Sequence, residues 1–155
     1  MRTAYFDTSA IVPLIVEEAG SDAARRLWHD AERVASARVV YAEGHAALAA
    51  AARLGRLPAD RLRAAIDRLI DHYEELHLVE ISDRLVRRAG ALAEEHLLRG
   101  YDSIHLAAAE LFRDDGAFVF VAGDGELCAA AERVGLDVEH TAVSPGPTSG
   151  SSSGT

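Results

Sequence analysis

The chain has 155 residues, 49% of them hydrophobic and 26% charged, the balance of one globular domain with a core of its own. Its formal net charge of −9 is opposite in sign to that of a protein holding nucleic acid by basic patches, so a phosphate-bearing ligand needs cation help. All 16 basic residues are arginine, which excludes the lysine-dependent P-loop NTPases and receiver domains, and the single cysteine, Cys128, excludes an internal disulfide or a cysteine-rich zinc site.

In chain order, the first element is the β-like run "RTAYF", which ends at Asp7. No basic-then-apolar leader precedes it, and no apolar stretch approaches the roughly 20 residues of a membrane span, so the expected location is the cytoplasm. A helix is expected from Ser9 to Glu18 and a second from Ser21 to Val34, opened by a Ser-Asp cap. A third runs from about Arg38 to Leu54 and stops at Gly55, and Pro58 opens a fourth that ends near Leu76. "HLVEI", His77 to Ile81, is the next β-like run, and Ser82 and Asp83 cap a fifth helix to about Leu98. Helices follow Gly100 and Asp124, separated by "AFVFVA", Ala117 to Ala122, and "LDVE", Leu136 to Glu139, is the last β-like run. This alternation predicts an α/β fold with a parallel sheet. From Ser144 onward "SPGPTSGSSSGT" reads as a flexible tail, so the expected domain is residues 1–143 and the tail residues 144–155.

Four acidic residues stand out from the solvated charges. Asp7 and Asp124 each follow a β-like run directly, at the strand end where open parallel sheets bind ligands. Both also precede helices, as does Asp102 in "GYDSIHLAAAEL", and an aspartate there is a routine cap worth about 0.5–2 kcal/mol. Capping does not explain Glu43, which is expected well inside its helix, on the apolar face shared with Val39, Val40, Ala46, Ala47 and Ala50. It is either a rim glutamate with its tip in water or a buried carboxylate with a partner at the sheet edge.

At "AYFDTSAIVPLI", "VVYAEGHAAL", "GYDSIHLAAA" and "VAGDGELCAAAERVGLDV" the sequence resembles the PIN domain, most closely the VapC-type ribonuclease toxins of toxin–antitoxin pairs. The likeness covers residues 1–140. It implies a three-layer α/β/α sandwich with a short, mainly parallel sheet flanked by helices. It also implies that Asp7, Glu43, Asp102 and Asp124 form an acidic metal and catalytic site, with Ser9 as an auxiliary polar contact. The partners it implies are an RNA substrate, a cognate antitoxin protein and a second copy of the chain in a homodimer. One departure is Ala122, where the family often has a threonine two residues before the last aspartate.

The chemistry of such a site follows from its donors. Four carboxylates in one cleft repel one another unless a cation neutralises them, and oxygen-only ligation selects Mg²⁺, with Mn²⁺ as a substitute. Such an ion supports hydrolysis of a phosphodiester by an activated water. Of the remaining residues, His105 and His45 read as packed or hydrogen-bonded neighbours rather than ligands. Arg99 is either a phosphate contact or a helix-dipole partner, and Tyr101 and Trp28 read as packing residues. Two rival readings remain: a non-catalytic PIN-like binding module, and a phosphatase of the haloacid dehalogenase type. The phosphatase would want a second aspartate where Ser9 stands.

Overall fold

The computed structural model describes Arg2 to Ala142, and the tail expected from Ser144 lies outside the described residues. Five strands form one sheet: β1 (Arg2–Phe6), β2 (Arg33–Ala37), β3 (His77–Val79), β4 (Ala117–Ala122) and β5 (Val138–His140). Their order is β3-β2-β1-β4-β5 and every pairing is parallel. The α-helices are α1 (Thr8–Ile11), α2 (Ser21–Asp30), α3 (Val40–Arg53), α4 (Leu62–Glu75), α5 (Asp83–His96), α6 (Gly100–Glu110) and α7 (Gly125–Arg133).

Alternation along the central strands divides the interior in two. Tyr5, Phe118, Phe120 and Ala122 face a core completed by Leu85 and Leu92 of α5, Leu106 of α6 and Leu127 of α7. Ala4, Phe6, Val119 and Val121 face the other, with Ile11 of α1, Leu27 of α2, Leu48 of α3 and Leu69 of α4. The result is the expected three-layer α/β/α sandwich. The strand order reverses direction between β1 and β4, which makes their carboxyl ends the topological switch point where such sheets take ligands.

Two expectations along the chain need correction. The second helix does not reach Val34: α2 ends at Asp30 and Arg33–Ala37 is strand β2. Ala and Ser have little strand propensity of their own, but β2 lies between β1 and β3, and small side chains suit that crowded position. Ala35 and Ala37 are fully buried there, and Ser36 Oγ donates to the Phe6 carbonyl at 2.7 Å. The first helix also falls short of Glu18. It passes after Ile11 into a 3₁₀ turn, Val12–Leu14, because Pro13 has no N–H to continue the α-helical ladder.

Helices α3 and α4 pack on each other through Gly44. A Cβ built there would lie 2.7 and 2.8 Å from the two Cδ atoms of Leu69, which is itself 1% exposed and has nowhere to go. Gly44→Ala is therefore expected to destabilise the fold by about 1–3 kcal/mol through overpacking, despite alanine's helix-propensity advantage of ~1 kcal/mol. Urea denaturation checks this, and a midpoint at or above the wild-type value would show that Leu69 yields.

Candidate active site

Four separate segments bring their carboxylates to one pocket of about 240 Å³, lined by Asp7, Glu43, Asp102 and Asp124 together with Thr8, Ser9, Val12, Ala47 and Arg99. Each acid stands at or within the first turn of a helix, where the positive end of the helix dipole favours a negative side chain. An adjoining depression of about 460 Å³ shares Ser9, Val12 and Ala47 with the pocket and extends to Arg56.

Asp7, 4% exposed, follows β1 immediately and caps α1, with its Oδ2 accepting from the backbone N–H of Ser9 at 3.1 Å and from Ser9 Oγ at 2.6 Å. Ser9 Oγ in turn accepts from Gly123 N–H at 2.8 Å, which ties the end of β1 to the loop after β4. Asp124 caps α7 through Oδ1, which accepts from Leu127 N–H at 3.1 Å. Its second oxygen is thereby left for the pocket. In both aspartates the capping bond uses one carboxylate oxygen, so a cap and a role in the pocket do not exclude each other.

Glu43 is not well inside its helix as expected. Because α3 begins at Val40, Glu43 stands in its first turn, yet no side chain there makes a capping bond. Its Oε1 accepts instead from Thr8 Oγ at 3.0 Å and from His105 Nε2 at 2.6 Å, with 23% of the side chain exposed. Glu43 is thus half-buried with two partners at the sheet edge, rather than a glutamate whose tip meets only water.

His105 is fully buried beneath the acids. Besides Glu43, Nε2 lies 3.5 Å from Asp7 Oδ1, while Nδ1 shares a 2.8 Å hydrogen bond with the Tyr5 hydroxyl. Burial pulls the imidazole down, but Asp7 and Glu43 overcome that and hold it above its ordinary value. Asp102 is also shifted upward, by burial first and by Asp7 and Asp124 after it, against the pull of Arg99. The Arg99 guanidinium spans the mouth of the pocket: Nε donates to Asp102 Oδ2 at 2.9 Å and Nη2 to Asp124 Oδ2 at 3.3 Å.

Sequence reasoning missed Thr8 and Tyr5, which orient Glu43 and His105. The hydroxyl run after Asp7 was the available signal for Thr8, whereas nothing in the sequence marked Tyr5 as a hydrogen-bond partner 100 residues from His105. His45 turns back on its own helix, bonding the Tyr41 carbonyl at 2.7 Å. Trp28 packs edge-on against Phe6 as expected, whereas Tyr101 is 60% exposed.

As the side chains lie, no three Asp, Glu, His or Cys groups among the described residues converge tightly enough to chelate an ion. In this arrangement Arg99 bonds Asp102 and Asp124, and His105 bonds Glu43. The donor set nonetheless fits a hard divalent cation, being all carboxylate oxygen, and Arg99 is 80% exposed and free to turn away. The single thiol, Cys128, is pushed up to about 12 by burial and is a protonated core residue.

A parallel α/β sandwich with an acidic pocket at its switch point is the class that fold and site define. Within that class the PIN domain profile matches residues 4–133, and the chain belongs to the PIN domain family, in its VapC group. It is 38% identical over 145 residues to Ribonuclease VapC49 of Mycobacterium tuberculosis, covering 94% of this chain and 100% of that one. Among solved structures it is similar to Mycobacterium tuberculosis VapC20, a Sarcin-Ricin loop cleaving toxin, at 20% identity, with 92% and 99% of the two chains covered and a TM-score of 0.61. A toxin-antitoxin complex from Klebsiella pneumoniae is matched at 21% identity over 78% of this chain and 86% of that one, with a TM-score of 0.52.

Proposed function

We propose that this protein is an endoribonuclease, the toxin of a toxin–antitoxin pair, which hydrolyses phosphodiester bonds of structured RNA with Mg²⁺ or Mn²⁺ held by Asp7, Glu43, Asp102 and Asp124. The observation that carries this reading is the convergence of carboxylates from four segments on one pocket at the switch point. Bound there, the ion would supply a Lewis acid for the phosphate and a water of lowered pKa. The chain's own contribution is positional. Ser9 fixes Asp7, Thr8 and His105 fix Glu43, and the capping bond at Oδ1 fixes Asp124 with Oδ2 turned to the pocket. Together they hold donors in place before substrate arrives, which lowers the reorganisation required during the reaction.

The partner of such a toxin is a small antitoxin protein. The VapC names of the relatives and the Klebsiella complex support that choice, and the depression running from Ser9 to Arg56 offers a path into the pocket. A homodimer is proposed with it, on the family likeness.

The experiment is cleavage of purified structured RNA with and without Mg²⁺, paired with calorimetric titration of Mn²⁺. Glu43→Gln keeps the size of the side chain but removes the charge, and it is expected to weaken metal affinity by about 10-fold or more. Wild-type affinity and turnover in that variant would return Glu43 to a structural role. Metal-independent binding of RNA without cleavage would favour the non-catalytic module.

A further inference from the structure

Arg99 is the only basic residue among the described residues lining the acidic pocket, and its side chain hydrogen-bonds nothing but the two aspartates. It leaves the chain at the N-cap of α6, where the backbone is extended, and reaches across to the start of α7. The exposures are layered: Asp102 and Asp124 are 17% and 30% exposed, whereas the guanidinium side chain above them is 80% exposed. An ion pair this open is weak and quickly remade, so it closes the pocket without locking it.

Asp102 and Asp124, whose Oδ2 atoms Arg99 occupies, are two of the four carboxylates that would hold a divalent ion in this pocket. Arginine and ion would therefore compete for the same two carboxylates. A guanidinium released from them is still tethered at the pocket mouth by its fixed backbone, in a chain whose net charge of −9 offers a polyanion little other attraction. Its planar fork matches two oxygens of a phosphate as well as it matches carboxylates. We infer that Arg99 is an exchangeable counter-ion, seated on Asp102 and Asp124 when no divalent ion is bound and transferred to a substrate phosphate once the ion has displaced it. Arg99 is thus a substrate-positioning residue that also sets the metal affinity. This inference rests on the ribonuclease reading above.

Two binding measurements on the full chain test it, neither depending on turnover. Free Mn²⁺ followed by electron paramagnetic resonance should show Arg99→Ala binding the ion roughly three- to tenfold more tightly than wild type, with Arg99→Lys between them. Anisotropy of a fluorescent single-stranded oligoribonucleotide in Ca²⁺, checked intact by gel, should show weaker binding by Arg99→Ala. The slope of log affinity against log salt should fall by about 0.7, the loss of one phosphate contact on a single strand, while Arg99→Lys keeps the slope. Wild-type Mn²⁺ affinity in Arg99→Ala, or an unchanged salt slope, overturns the inference. Failure of the underlying reading looks different, because wild-type protein would then take up no Mn²⁺ and bind no RNA, and both conclusions would fall.

Discussion

Asp7→Asn is expected to lower RNA cleavage by at least about 10³-fold, equivalent to ~4 kcal/mol of transition-state stabilisation, while the fold persists. Asparagine is as good a helix cap as aspartate, so the bond from Ser9 N–H to residue 7 survives, as does the tie from Ser9 Oγ to Gly123. What is lost is one negative charge at the centre of the pocket, between Ser9 Oγ and His105 Nε2. Without metal, the variant's stability should stay within about 1 kcal/mol of wild type, since removing a repelling charge offsets the lost attraction to His105. Adding Mg²⁺ should then raise the melting temperature of wild type and not of the variant, because ligand binding stabilises only a protein that binds. Cleavage assays and thermal melts in parallel decide the matter. Full activity in Asp7→Asn would mean that Asp7 is a cap alone.

His105→Ala should produce the largest loss of stability, about 3 kcal/mol. The truncation opens a fully buried site, leaves the Tyr5 hydroxyl without its partner and removes one of the two donors to Glu43. It should also change how stability responds to pH. The folded imidazole is held above its ordinary value of about 6.5, so the stability it contributes is fully present below that pH and is lost as pH rises through the higher folded value. Metal-free wild type, kept in chelator, should accordingly lose stability as pH climbs from about 6.5 upward. In His105→Ala that part of the slope should vanish. Urea midpoints measured across this window check both points, and parallel pH profiles for the two proteins would show that His105 carries no charge in the fold.

Local pattern was enough for an α/β fold with a parallel sheet, because long apolar strands such as "AFVFVA" and capped amphipathic helices such as Asp83–His96 carry their signal locally, whereas the three-layer arrangement was read from the likeness to the PIN domain. It also singled out all four acids of the pocket, two of them by their place directly after a strand. Strand β2 was not legible, since "RVASA" becomes a strand by pairing with β1 and β3 rather than by its own propensity. Nor was the short first helix, where Pro13 outweighed an apolar spacing that suited a longer one. The network under the pocket lay further out of reach. Tyr5 meets His105 across 100 residues and Thr8 meets Glu43 across 35, and no periodicity encodes a contact between side chains so far apart. Arg99 shows the same division: its position three residues before Asp102 can be read from the sequence, but its second bond, to Asp124, exists only because β4 is parallel to β1 and brings α7 to the same edge as α6. Local pattern fixed which residues carry charge beside a strand or helix end, and tertiary packing decided which of those charges meet, because burial is what makes each one find a partner.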